Sequence, residues 1–411
     1  MTAHAGAEAT EVPAAPRPHV PLWLLALLTF SGTVAMHIFV PALPSAGRDL
    51  GASAGAMQMT VSLYILGLAF GQLVYGPLSD RYGRRPVLMI GLTLYTLSGL
   101  AAALAPDAQA LIAARLFQAL GGCAGLVLGR AIVRDLAGPQ EAARRLALMN
   151  LMVTLGPGLA PLLGGAMASS MGWRSIFVLL CGLGAVNFLF AWRMLPETGR
   201  RAANLGGTTL MRNYLRLLRS PTFLGYALGG GCATTSMYAF IASAPFIFVN
   251  ELRRPAEEVG IYLAIMIGGV WLGSVLASRL MSGAAIGRVM VRANLLSLLG
   301  AALFLGAALS GRLSVAWAVA PIFIFTLGAG IASPAALTQA IGVNPQVIGS
   351  ASGLYGFIQM AVGAICTALA GIGGDPALAA GLVLVGSGLV AQLGFWVAMR
   401  ETGVTARREP A

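Results

Sequence analysis

The residues of this chain that could do chemistry are few, and most of them crowd into one place. The stretch Gly76-Pro77-Leu78-Ser79-Asp80-Arg81-Tyr82-Gly83-Arg84-Arg85-Pro86 packs three arginines, one aspartate and two glycines into eleven residues between two apolar runs. A charge knot in that setting is expected to be a short loop at the water interface. Among the ionisable residues within the apolar runs are His37, Arg115 and Arg130. An ionisable side chain inside a membrane is costly and points to function. His37, with an ordinary pKa of about 6.5, can exchange a proton near neutrality. Arg115 is a fixed cation, and Gln118, nearly a helical turn further on, shares its face. All fourteen acids fall in tails, in loops or within the first turn or so of an apolar run, so no carboxylate is expected near a membrane midplane.

Other chemistries lack their residues. The three histidines are His4, His19 and His37, with no H-E-x-x-H and no paired acids inside an apolar run, so a membrane-embedded enzyme is not indicated. There is no Walker loop for ATP-driven pumping and no repeated pore-lining signature for a channel. Cys123, Cys181, Cys232 and Cys366 lie far apart inside apolar runs, which argues for packing and against a metal site or a disulfide framework. Neither cofactor nor metal is expected.

The elements that must position these residues are membrane spans. Of 411 residues, 57% are hydrophobic and 10% charged, and mean hydropathy is +0.81. Soluble proteins carry about 25% charged residues. The net charge of +12 does not indicate nucleic acid, because the 26 basic residues are all arginines clustered between apolar runs. A spanning helix needs about 20 predominantly apolar residues. On that measure twelve segments emerge, near 22–42, 56–78, 85–105, 109–133, 145–170, 174–195, 221–248, 257–280, 289–310, 314–336, 347–371 and 376–399. The expected fold is an all-α polytopic membrane protein of twelve transmembrane helices in two six-helix halves.

The longest polar interruption, 196–220, divides the chain into a tail 1–21, a first half 22–195, a linker, a second half 221–399 and a tail 400–411. With the amino terminus inside, nineteen arginines face the cytoplasm and five the other side. By the positive-inside rule both termini and the 76–86 stretch are cytoplasmic. The first twenty residues lack the basic start of a signal peptide and read as a disordered cytoplasmic tail. Glu197-Thr198-Gly199 after the sixth segment returns as Glu401-Thr402-Gly403 after the twelfth, 204 residues on. Such a repeat is expected where two halves surround one midplane site.

The 76–86 stretch resembles the signature loop between helices 2 and 3 of the major facilitator superfamily, G-x-L-[SAG]-D-R-x-G-[RK]-[RK]. The resemblance covers most of residues 22–403. Arg115-Leu116-Phe117-Gln118-Ala119 is similar to the family's R-x-x-Q-G element, with Ala119 for the glycine. Gly158-Leu159-Ala160-Pro161-Leu162-Leu163-Gly164-Gly165 resembles the helix-5 antiporter motif, with Ala160 for a glycine. Gly172-Trp173-Arg174 and Leu195-Pro196-Glu197-Thr198 complete the first-half pattern. Arg130-Ala131-Ile132-Val133-Arg134-Asp135 and Pro41-Ala42-Leu43-Pro44 narrow the resemblance to the Bcr/CflA (bicyclomycin/chloramphenicol resistance) exporters among the twelve-helix drug:proton antiporters.

The resemblance implies proton-driven export of small drug-like molecules across the bacterial inner membrane, with bilayer, protons and substrate as partners, no nucleic acid, and a monomeric state. The charge knot Gly76, Asp80, Arg81, Gly83, Arg84 and Arg85, joined by Asp135, is the expected conformational latch. Gly158, Pro161, Gly164 and Gly165 are expected to pack closely, bend the helix and seal the cavity. This branch usually carries an acid in helix 1 where this chain has His37, so proton coupling or substrate binding is expected there. Arg115 and Gln118 are expected in the cavity, with Tyr238, Phe240, Ser243 and Pro245 from helix 7 and Gln359 from helix 11. An arginine without a midplane acid favours neutral, zwitterionic or anionic cargo over permanent cations. The alternative is an exporter or facilitator of an endogenous metabolite with weak or no proton coupling.

Overall fold

The computed structural model describes residues 20–137, 139–199, 207–281, 286–344 and 347–408. Most of the expected amino-terminal tail, linker residues 200–206 and the last three residues lie outside them. The described residues form α-helices joined by short turns: α1 Leu22–His37, α2 Leu43–Asp49, α3 Ala54–Tyr82, α4 Arg84–Ala103, α5 Ala108–Leu136, α6 Pro139–Met171, α7 Arg174–Met194, α8 Gly207–Leu218, α9 Pro221–Thr235, α10 Met237–Phe246, α11 Ala256–Leu280, α12 Ile286–Leu309, α13 Val315–Gly342, α14 Ile348–Ala370 and α15 Pro376–Arg408. Among the described residues, eleven helical runs are long and apolar enough to cross a membrane, counting α1–α2 and α9–α10 as single spans. The 33-residue α6, packed between α1 and α11, completes the twelve-helix fold.

Local chemistry sets the helix ends. Ser53, Asp107, Ser220 and Ser314 each accept a backbone N–H three residues on, capping α3, α5, α9 and α13. Spans one and seven are discontinuous. Pro41 has no N–H to donate, and the chain passes from α1 through a 3₁₀ turn at Val40–Ala42 into α2. Span seven breaks at Ser236 and ends in a π-helical turn at Ile247–Glu251.

One expectation is corrected, and two segments gain detail. The 76–86 stretch is not a loop, because helix runs through it except at Gly83, whose φ of +101° only glycine adopts cheaply. Ion pairing between α3 and α4 lets a single residue serve as the whole turn. The 196–220 segment, expected as a linker, carries the helix α8. The twelfth helix also runs past the expected end at 399, to Arg408.

Contact between the first six spans and the last six runs along α3 with α14 and α6 with α11, and α10 sits on the Val40–Ala42 turn, α2 and α3. The α10 contacts lie at the end of the molecule away from the termini. Towards the terminal end, α5 and α13 share no extended packing, and Arg130, Arg134, Leu337 and Thr338 are exposed on them. The conformation is closed at the far end and open at the end bearing the termini.

Candidate functional site

Span one breaks immediately after His37, which puts this side chain at the seam between the halves. His37 is 4% exposed, and its Nδ1 lies 2.9 Å from the Thr33 carbonyl oxygen. A carbonyl can only accept, so Nδ1 carries the hydrogen and Nε2 keeps a lone pair. The ring centre is 6.2 Å from that of Tyr238 on α10. Further bonds cross the same seam: Gln58 Nε2 donates to Ser243 Oγ at 3.0 Å, and Ser62 Oγ to the Ala364 carbonyl at 2.7 Å. Backbones also approach closely, and a Cβ on Gly55 would stand 2.6 Å from the Gly371 carbonyl oxygen.

Arg115 is placed otherwise than expected. It is fully buried inside the first half, where its guanidinium carbon lies 4.0 Å from the Tyr64 ring centre, 5.7 Å from Phe177 and 5.8 Å from Phe39. Nη1 donates to the Ala35 carbonyl at 2.9 Å and to Gln118 Oε1 at 2.8 Å. Electron-rich ring faces take the place of a carboxylate beside the charge. The arrangement is a clamp between α5 and span one, two residues before His37, and it faces aromatic side chains rather than a cavity. Arg130, further along α5, is exposed like Arg134, and it forms no ion pair among the described residues.

The second-half residues divide. Tyr238 and Ser243 reach the seam. Gln359 ties α14 to α9 within its own half: Nε2 donates to Thr234 Oγ1 at 2.9 Å, and Thr235 Oγ1 donates to its carbonyl at 2.6 Å. Phe240 packs edge-on to Phe248 and Phe304, and Pro245 is buried in α10. The helix-5 motif faces two ways. A Cβ on Gly164 would overlap the Ile38 carbonyl in the break of span one. Gly158, Pro161 and Gly165 lie against α11, and a Cβ on Gly260 would come 2.7 Å from the Pro161 carbonyl.

The charge knot is an assembly of the first half. Arg84 lies 2.5 Å from Asp80 and 2.9 Å from Asp135, and Nη1 donates to Ser79 Oγ at 2.6 Å. Arg85 donates to the Trp192 carbonyl at 2.7 Å, Arg81 leans over Tyr82, and a Cβ on Gly76 would meet nothing within 4 Å. Sequence reasoning missed Glu197 here. Its carboxylate accepts the N–H groups of Arg84 at 2.8 Å, Arg85 at 3.3 Å and Gly199 at 2.9 Å, capping α4 from the end of the sixth span. The repeat had marked Glu197, but only the fold brings it to residues 113 positions away.

The profile of the Major Facilitator Superfamily matches residues 25–367. The chain belongs to the major facilitator superfamily. It is a multi-pass membrane transporter, not an enzyme. It is 32% identical over 341 residues to multidrug resistance protein D of Escherichia coli (strain K12), across 82% of this chain and 85% of that protein. It is 27% identical over 351 residues to a bicyclomycin resistance protein homolog of Haemophilus influenzae, across 84% and 87%. These relatives fit the drug:proton antiporter group and its Bcr/CflA family, as the motifs implied. Among solved structures, a D-xylose–proton symporter superposes with a TM-score of 0.71 at 15% identity, covering 90% of this chain and 96% of that one. That likeness concerns the fold alone.

Proposed function

We propose that this protein is a secondary active exporter of small drug-like compounds, driven by proton antiport across the bacterial inner membrane, with both termini cytoplasmic. The names of its relatives support the drug-efflux reading. The geometry that supports it best is the His37–Tyr238 contact, which places a titratable ring at the seam between two discontinuous spans. A conformation open on the side of the termini loads cargo from the cytoplasm. For antiport, a proton reaches Nε2 of His37 from the outer side while the seam is parted and leaves to the cytoplasm once the seam has closed again, so that proton and cargo cross in opposite directions. The asparate–arginine knot would hold α3, α4 and α5 together as one body during this motion, so a latch between halves needs a partner supplied in the opposite state.

Cargo is neutral, zwitterionic or anionic in this reading. Arg115 is enclosed by rings, but Arg130 offers an exposed cation within a span, and no acid of the described residues lies in the middle of a span. A permanent cation would find no buried counter-ion. The alternative, a metabolite exporter or facilitator without proton coupling, is favoured by one observation, the histidine where this branch usually carries an acid. Expression in an efflux-deficient bacterium, against neutral and cationic antibiotics with and without an uncoupler, separates the two. Resistance to uncharged amphenicol-like drugs that the uncoupler abolishes supports antiport. Preferential export of ethidium-like dyes refutes the cargo assignment.

A further inference from the structure

The helix α8 joins the two halves and packs against α9 and α14. At about 100° per residue its side chains fall into separate stripes. Tyr214 and Leu217 form the inner stripe: Leu217 is 2% exposed in a cluster with Phe223 and Tyr226, and the Tyr214 hydroxyl lies 3.7 Å from where a Cβ on Gly353 of α14 would stand. The next stripe is apolar and uncovered, with Met211, Leu215 and Leu218 exposed to 59%, 46% and 42%. Beside it run Arg212, Arg216 and, just past the helix, Arg219. All three are exposed, and none forms an ion pair among the described residues.

We infer that α8 is a docking strip for anionic phospholipid, with Met211, Leu215 and Leu218 in the acyl boundary and Arg212, Arg216 and Arg219 on the headgroup phosphates. The helix is fixed beside the ends of two spans, so its uncovered apolar stripe lies where acyl chains meet headgroups. The adjoining stripe carries three positive charges and no acid, which complements an anionic surface. A second copy of this chain fits poorly, because a two-fold contact would set arginine against arginine. Lipid held here would keep the connecting helix in the interface while the halves rock.

The test is to place the full-length protein in nanodiscs of dioleoylphosphatidylcholine with rising dioleoylphosphatidylglycerol, and to count retained phosphatidylglycerol by native mass spectrometry. The Arg212→Gln/Arg216→Gln/Arg219→Gln variant should need more phosphatidylglycerol for equal retention, by roughly five-fold per arginine, equivalent to about 1 kcal/mol each. The matching triple lysine variant should keep the preference, which distinguishes lost charge from lost folding. Inorganic phosphate should not displace the lipid. Equal retention by the glutamine variant overturns the proposal. So does a dimer in pure phosphatidylcholine that Leu215→Gln dissociates, which would make a second copy the occupant.

Discussion

Replacing Gly55 by alanine should loosen the closed end of the transporter at a backbone contact of the seam, while His37 itself and the charge knot stay unaltered. The first turn of α3 meets the carboxyl end of α14 there, with no side chain between them. A Cβ on Gly55 would lie 2.6 Å from the Gly371 carbonyl oxygen, well inside van der Waals contact. The obstacle is backbone, so no rotamer change relieves it. Overpacking of this kind costs about 1–3 kcal/mol. Alanine's better helix propensity favours both conformations alike and cancels. Only the conformation closed at the far end pays the steric term, so about 2 kcal/mol should shift the ratio of far-end-open to far-end-closed molecules roughly 30-fold. Spin labels at Leu104 and Leu309, both exposed at the far ends of α4 and α12, would report this as growth of the longer distance. Gly182→Ala is the control, because a Cβ there meets nothing within 4 Å. An unchanged distance distribution in Gly55→Ala, or the same shift in Gly182→Ala, would refute the assignment of this contact to the closed gate.

Other substitutions probe the remaining parts. His37→Gln keeps a polar side chain at the seam but cannot take a proton there; gradient-driven export should fall about ten-fold or more while downhill exchange persists, and an unaltered pH profile would remove His37 from coupling. Arg115→Ala gives up two charge-assisted hydrogen bonds and the ring contacts, and thermal unfolding in detergent should show a loss of about 2–4 kcal/mol, with Arg115→Lys intermediate because lysine keeps the charge but not the planar fork. Glu197→Ala removes the cap of α4 and should cost about 1–2 kcal/mol. Gly83→Ala should cost a similar amount, for its positive φ and its contact with the Glu197 carboxylate; full stability in both variants would contradict the role given to that junction.

The spans and the family were legible because a bilayer imposes length and hydropathy, and the motifs supply local spacing. The Arg115–Gln118 bond follows from positions three apart on a helix. What surrounds Arg115 was not legible: Phe39, Tyr64 and Phe177 come from different spans, and no periodicity says which ring will face the charge. The tie of Gln359 to α9 was not legible for the same reason, its partner Thr234 lying 125 residues away. The 76–86 stretch misled because glycine, proline and charge usually signal a loop. Here those charges neutralise one another across a one-residue turn. The length of 196–220 was visible, but the stripes of α8 were read only as clustered arginines.

The most direct measurement uses proteoliposomes with an acidic interior and a labelled uncharged amphenicol outside. Uptake against its own gradient, collapsed by a protonophore and reduced towards the uncoupled level in His37→Gln, is the predicted result. Accumulation that ignores the pH gradient, or none for any uncharged drug, would contradict proton-coupled drug export.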